Sequence, residues 1–579
     1  MSVYDLPTTR WQLREENRDA QNLLVRDLGI SPIVSGIIIN REIGTPDEIR
    51  HYLFPSLHDL HNPFLMRDMR KAVERFITAL HQKKKIVVFG DYDADGITSV
   101  VVLLHFINQI GGKASFYIPD RASEGYGLSM AAVKRFHSEG VGLIVTADCG
   151  MANHQEIAFA KELGIDVIIL DHHEPSESLP PADAIVNPKR SDCGFPFKQL
   201  AAVGIVFNFL IALRSALRSE GFWSNSTCPN LRDYLDLVAL GTIGDVVPLV
   251  DENRIFAKIG MELISQDTRI GIRALKMVCA MEGKPVEASR ASFTLIPRIN
   301  AAGRISSAAN AVELLLSENS EEAFLLAQRL EGFNKKRQLL ERAIFAQLLE
   351  TVSKAATSGD NEPMVFSSPD WHPGVIGIVA SKLADRFGRP AILISIKDGL
   401  GKGSGRSAAD FNLFEGIKRC ESHLLAYGGH RYAAGILIEE ENIAPFTKQL
   451  SDIINESCPE QEFTSCTTID VQCLLDDINL ELLSQINMLA PFGSGNQEPI
   501  ICARNVSVSS PAIVGNNHLK MRVSNNGISK DSIWFNKGQY LPLISQAALL
   551  DIVFTPKMND WNRSGNIQLI MRDALIKKN

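Results

Sequence analysis

The chain has 579 residues, 45% of them hydrophobic and 22% charged, a globular balance with room for about four domains. Its 59 Lys and Arg against 67 Asp and Glu leave a formal charge of −8; this excludes an all-round basic nucleic-acid coat but not a local basic channel, because a net charge averages over faces. Nine cysteines without a CxxC pair argue against a disulfide scaffold or a tetra-cysteine zinc site, and with no secretory h-region and no apolar run of about 18 unbroken residues the expectation is a cytosolic chain with no membrane partner.

In chain order, residues 1–80 carry helical signals, and Thr45-Pro46-Asp47-Glu48 reads as a helix start. We read them as a helical preface. From residue 84 short β-branched runs alternate with helical segments: KKIVVFG, ITSVVVLLHFINQIGG, ASFYIP, AAVKRFHSEG, LIVTAD, HQEIAFAKELG, DVIIL and DAIVNP. This alternation predicts βαβ units and a mainly parallel sheet over residues 81–315. Over 316–357, Leu326, Leu330, Phe333, Leu340, Ile344 and Leu348 recur at helical spacing, with Gly332 a candidate break between two helices. This stretch is a connector, or else more helices of the first domain. Residues 358–460 alternate again, as a second α/β unit. Residues 461–579 hold short strands with Asn/Gly turns, the pattern of a small β barrel or sandwich.

The sharpest signal is VVFGDYDADG, residues 87–96. Asp91, Asp93 and Asp95 follow an apolar strand and precede a helix, and alternate residues of an extended segment point the same way. Carboxylates so close repel unless a cation neutralises them, and hard oxygen donors favour Mg²⁺ or Mn²⁺. LIVTADCG ends its run in Asp148, DVIILDHHE in Asp171, His172, His173 and Glu174, and Asp245 lies in ALGTIGDVVPL. In a parallel sheet the carboxyl ends of the strands share one edge, where sites form. Such ligands can hold two ions about 3.5–4 Å apart, activating water on a phosphoester or phosphoanhydride. No GxSxG and no Walker A motif is present.

DYDADG, TAD, DHH and GTIGDVVPL in this order resemble the DHH phosphoesterase superfamily. From about residue 40 to the C-terminus the chain is similar to that superfamily's bacterial single-stranded-DNA exonucleases. The resemblance implies an α/β fold: a DHH parallel-sheet domain, a long helical connector, a DHHA1 α/β domain and a C-terminal OB-fold β-barrel. It implies a two-metal Mn²⁺ or Mg²⁺ site held by Asp93, Asp95, Asp148, His172 and Asp245, with His173 on the scissile phosphate. Asp91 is a ligand or a base behind the ligands, and Asp171 orients a ligand. Four further motifs carry substrate contacts by the same resemblance. PDRASEGYGLS offers Arg121 and Tyr126. PRINAAGR offers Arg298, Asn300 and Arg304, neither arginine having an obvious local acid partner. KGSGRS and YGGHRYAAG offer Ser404, Arg406 and His430. His372 is a contact or a helix cap. On the barrel, Lys520, Arg522 and Trp534 lie on predicted strands, Trp534 as core or as a stacking platform.

Three functions compete. The first is metal-dependent hydrolysis of single-stranded DNA, 5′→3′ to mononucleotides, in repair and recombination, with single-strand-binding protein and a helicase as partners. The second is a small-substrate phosphohydrolase on the same core, against which the C-terminal β region argues. The third is a non-catalytic binding protein, against which the full ligand set argues.

Overall fold

The computed structural model describes residues 10–15, 17–121, 123–223, 227–355, 364–408, 411–457, 466–559 and 566–577. It forms two compact units, one of His61–Val247 and Phe256–Glu462, the other of Met1–Leu60, Pro248–Ile255 and Phe463–Asn579. The expected boundaries at 357/358 and 460/461 lie outside the described residues.

The first unit opens on a five-stranded sheet in the order Ala114–Tyr117, Lys85–Gly90, Val141–Ala147, Asp166–Leu170, Ala184–Val186. Every neighbouring pair is parallel, so all carboxyl ends leave by one edge. The strands read as unbroken apolar runs because both faces are covered: Val87, Val88, Phe89, Ile144 and Val145 are all buried. Helix Ala202–Ser219 is long and apolar enough to cross a membrane, but it is mostly buried. Phe207 packs edge-on against Phe256 at 5.2 Å and Phe209 against Phe76 at 5.7 Å, as in a core helix.

The connector is one helix, Ser320–Ala355, continuous through Gly332. A Cβ at Gly332 would meet nothing within 4 Å, so this glycine lies on an open face and costs the helix only about 1 kcal/mol. Toward its end Ile344 and Leu348 join a core with Val375, Val379, Leu383 and Leu393. There a second five-stranded sheet runs in the order Ala426–His430, Ala433–Glu439, Leu400–Arg406, Ala391–Lys397, Met364–Ser368. Only its last pair is parallel.

In the second unit, strands Ile501–Val514, His518–Asn525, Ile528–Trp534, Ile567–Ile576 and Leu550–Met558 pair in sequence, and the last closes on the first. This is the expected barrel. Trp534 is buried in its core with Leu519, Val523 and Leu569, and its indole N–H donates to Arg572 O at 3.3 Å. It is core, not a base-stacking platform. Val34, Ile37 and Ile38 of helix Pro32–Asn40 join the same core. The predicted helix start at Thr45 is a capping box, Thr45 and Glu48 each bonding the other's backbone N–H.

Candidate active site

Three strand ends converge on the carboxyl edge of the parallel sheet, joined by Asp245 at the C-cap of helix Leu235–Gly244. Lys85–Gly90 runs into Asp91 and Asp93, and Asp93 caps helix Ala94–Gln109 by accepting from the N–H groups of Asp95 and Gly96 at 3.0 and 3.2 Å. A Cβ at Gly96 would lie 2.4 Å from Asp91 O, so only glycine allows this turn to close. Asp95 is fully buried. Its two oxygens accept from Ala202 and Val203 N–H at 2.7 and 2.8 Å, where helix Ala202–Ser219 begins. The carboxylate thus sits at the positive end of a second helix.

Val141–Ala147 delivers Asp148, whose φ of 63° is left-handed. This is an uncommon conformation for a non-glycine residue and is held here by its surroundings. Asp166–Leu170 delivers Asp171, His172 and His173. His172 Nε2 is 3.2 Å from Asp148 Oδ1, and its Nδ1 is 3.6 Å from Asp245 Oδ2. His173 Nδ1 is 2.7 Å from Asp171 Oδ1, while the other Asp171 oxygen accepts from Met151 N–H at 3.2 Å. Asp171 therefore orients the imidazole and faces away from the cluster of donors.

Among the described residues, three groups bring ligand atoms within 4.8 Å of one another: Asp91, Asp93 and Asp148; Asp95, His172 and Asp245; Asp148, His172 and His173. Asp148 and His172 each belong to two of them. Asp91 Oδ1 is buried with no hydrogen-bond partner, a costly state for a carboxylate unless a cation takes it. Oxygen donors with imidazole nitrogen and no sulfur suit Mn²⁺ or Mg²⁺.

The electrostatics agree. Burial, then Asp93, raises Asp91 well above the ordinary carboxylate range. Burial, then Asp93, raises Asp95 to about 7. Asp148 is raised by burial and then by Asp95, Asp93 and Asp91. Burial and then Asp95 raise Asp245. The two histidines diverge. Burial, then His173, lowers His172 to about 3, a neutral ring free to ligate. Burial also pulls His173 down, but the bond and charge of Asp171 outweigh it and raise it to about 9, a cation at neutral pH.

The substrate motifs surround this cluster. Tyr126, 46% exposed, donates its hydroxyl to Asp148 O at 3.1 Å and lies 3.3 Å from His173 Nδ1. Arg121 stands 4.8 Å over the Tyr92 ring. Asn300 Oδ1 accepts from Ala94 N–H at 2.7 Å, which ties helix Leu295–Ile305 to the turn. Gly303 packs on Tyr92, where a Cβ would meet its carbonyl at 2.3 Å. Arg304 donates to Gly374 O at 3.2 Å, and burial, then Arg121, lowers its guanidinium to about 10. Arg406 donates to Ser404 Oγ at 3.2 Å, and burial and then Arg121 lower it also. Three guanidinium groups held against their mutual repulsion mark a place for an anion. On the second sheet His430 lies 6.4 Å from His173, the rings 19° apart.

Two expectations change in detail. Arg298 has an acid partner after all, Glu331 of the connector helix, at 2.7 Å, and also donates to Thr294 O at 2.6 Å. His372 Nδ1 accepts from Gly374 N–H at 3.1 Å, so it stabilises the turn before helix Ile376–Phe387. Sequence reasoning missed Asn187. It is fully buried and donates to His173 O at 2.8 Å; its one signal was an Asn-Pro directly after the last strand. On the barrel, Arg522 pairs with Asp531 at 3.1 Å.

Family models match in three places: the DHH family N-terminal domain at residues 85–242, the DHHA1 domain at 361–456 and the RecJ OB domain at 469–573. The single-stranded-DNA-specific exonuclease RecJ of Bacillus subtilis is 38% identical, covering 98% of this chain and 71% of its own. That of Escherichia coli is 35% identical, covering 87% and 89%. The crystal structure of RecJ in complex with Mn²⁺ from Thermus thermophilus has a TM-score of 0.83 and 28% identity, covering 98% of this chain and 80% of that one.

Proposed function

Because the chain belongs to the RecJ family of single-stranded-DNA-specific exonucleases, we propose a division of roles among its residues for that reaction. The protein is a metal-dependent exonuclease acting on phosphodiester bonds of single-stranded DNA. The proposal is 5′→3′ release of mononucleotides, in the cytoplasm, serving repair and recombination beside a single-strand-binding protein and a helicase.

Asp93, Asp95, Asp148, His172 and Asp245 would hold Mn²⁺ or Mg²⁺, with Asp91 completing the set on its unpartnered oxygen. Bound there, the ions supply Lewis acidity and a water of lowered pKa. The rest is the work of side chains. His173, charged and fixed by Asp171, stabilises negative charge developing on the scissile phosphate. Tyr126 closes one side of that histidine and His430 faces its ring from the second sheet. Arg121, Arg304, Arg406 and Ser404 fix the phosphate at the strand end, the forked donors setting orientation as well as charge. Asn300 holds the acidic turn in place through Ala94 N–H. Arg298 braces helix Leu295–Ile305 against the connector through Glu331.

The observation that carries this reading is the sharing of Asp148 and His172 between donor groups that each span no more than 4.8 Å. It is tested with a long single strand labelled at either end, a blunt duplex and pyrophosphate, each with Mn²⁺, and with Asp148→Ala as control. Mononucleotides are expected from the 5′ end of the single strand alone, and none from the variant. Pyrophosphate cleavage with intact DNA would overturn the substrate assignment. Equal activity of Asp148→Ala would overturn the site.

A further inference from the structure

The loop after the last strand of the parallel sheet, Asn187-Pro188-Lys189-Arg190, has one side chain that no role above uses. The loop is pinned at both ends. Asn187 donates to His173 O and accepts from Lys189 N–H, both at 2.8 Å. Arg190 is buried and donates to Asp68 and to Ile185 O at 2.8 and 2.7 Å. Lys189 itself is turned toward the site: its Nζ lies 3.1 Å from Glu174 Oε1, on the residue that follows His173.

Its charge reaches across the cleft. The loop that carries Lys189 is tied to His173 through Asn187, the ring of His173 faces that of His430 at 6.4 Å, and burial, then His173, then Lys189 hold His430 below the ordinary histidine range. The ammonium, 3.1 Å from the residue that follows His173, therefore lies on the side of His173 and His430. Arg121 stands on the side of the acidic turn, over the Tyr92 ring at 4.8 Å; the helix of Arg304 packs on the same Tyr92 through Gly303, and Arg304 and Arg406 both feel the charge of Arg121. Glu174 is a weak anchor, since its side chain is 64% exposed and an ion pair this open to water contributes little. A DNA phosphate, with several strong acceptor oxygens on one group, is the stronger partner for the same ammonium.

We propose that Lys189 holds a backbone phosphate of the strand on the flank opposite the arginines, the one that follows the scissile phosphate, and exchanges Glu174 for it when DNA binds. This rests on the exonuclease reading above. It gives the site two phosphate holds with the reacting bond between them. It also supplies a reason for a polymeric strand to be preferred over the shortest substrates, which carry no phosphate at that position.

The test compares a 5′-phosphorylated thymidine dinucleotide, which ends before that phosphate, with the trinucleotide, which includes it. The wild type, Lys189→Gln and Glu174→Gln are assayed with Mn²⁺. The ratio of trinucleotide to dinucleotide kcat/KM is expected to fall about tenfold in Lys189→Gln and to rise about twofold in Glu174→Gln. The slope of log affinity for a single strand against log salt should shrink by about 0.7 in Lys189→Gln. Opposite signs are the decisive feature, since a lysine that merely braced the loop through Glu174 would make both variants move together. Movement in the same direction, or a ratio unchanged in Lys189→Gln while the wild type cleaves both substrates, overturns this inference and leaves the exonuclease reading standing. A wild type that cleaves neither substrate but degrades a long single strand overturns this inference alone, and one that cleaves neither of them nor the long strand overturns both.

Discussion

At the scale of single residues, the proposed chemistry gives neighbouring groups opposite protonation states. His172 and His173 are adjacent, with ring centroids 4.7 Å apart, yet one is lowered to about 3 and the other raised to about 9. The difference comes from Asp171, which accepts from His173 Nδ1 and from the backbone N–H of both histidines. Its carboxylate, pulled down to about 2 by His173 against the opposing effect of burial, is a positioning group. Asp171→Asn keeps the shape and an oxygen for the backbone bonds but loses the charge. Such supporting groups typically contribute about 10–100-fold, so kcat on single-stranded DNA should fall by about that factor in steady-state assays. Circular dichroism should show the fold unchanged. A loss below about threefold would remove Asp171 from the mechanism.

At the scale of elements, the second unit is held by an insertion from far along the chain. Arg254 brings a buried guanidinium against the Tyr52 ring at 4.0 Å. It donates to Tyr52 O at 2.8 Å, Leu489 O at 3.0 Å and Ala490 O at 3.1 Å. It thereby adds a charged donor to the carbonyls that follow helix Leu480–Met488, where Leu489 O also accepts from Asn496 Nδ2 at 2.9 Å. Arg254→Ala should cost this unit about 3 kcal/mol, from lost charged hydrogen bonds and the cation–π contact. Hydrogen exchange of residues 480–490 is the measurement, and unchanged protection there would refute the bracing role.

That insertion also marks where sequence reasoning stops. The parallel sheet and its acidic edge were legible because buried strands are continuous apolar runs and because each run ends in its own functional group: Asp91, Asp148, Asp171. The barrel was legible from strands and turns. Long-range partners were not. Nothing near Arg298 announces Glu331, and nothing in DADG says that Asp95 also caps a helix starting at Ala202. Local propensity misleads at Gly332, where packing on either side carries the helix through a residue that on its own would end it. Trp534 was ambiguous because an indole on a strand serves a core and a binding face equally well until the barrel closes.

At the scale of the whole molecule, a net charge of −8 is compatible with an anionic substrate because the charge is sorted, and part of the acid excess is committed to one buried cluster. That cluster destabilises the metal-free fold. Asp91, Asp95, Asp148 and Asp245 are all raised above the ordinary carboxylate range, by burial first and by their neighbours second. A carboxyl that ionises more readily in the unfolded chain than in the fold costs stability wherever the unfolded chain is charged. For Asp95 the cost grows from its ordinary pKa of 3.8 to about 7 and stays at its full value above that. In EDTA at pH 8, Asp148→Asn should therefore be more stable than the wild type, by about 1–2 kcal/mol, since it removes a carboxyl whose ionisation burial and its neighbours oppose in the fold but not in the unfolded chain. Mn²⁺ should reverse the order: at about 100 times its Kd it adds about 2.7 kcal/mol to a fold that binds it, and the variant lacks a donor shared by two of the three groups. Thermal unfolding of both proteins, in EDTA and in Mn²⁺, decides the matter. A variant less stable than the wild type in EDTA would mean that Asp148 braces the fold instead of straining it. A wild type whose transition Mn²⁺ does not raise would mean that these carboxylates are not there to hold a metal.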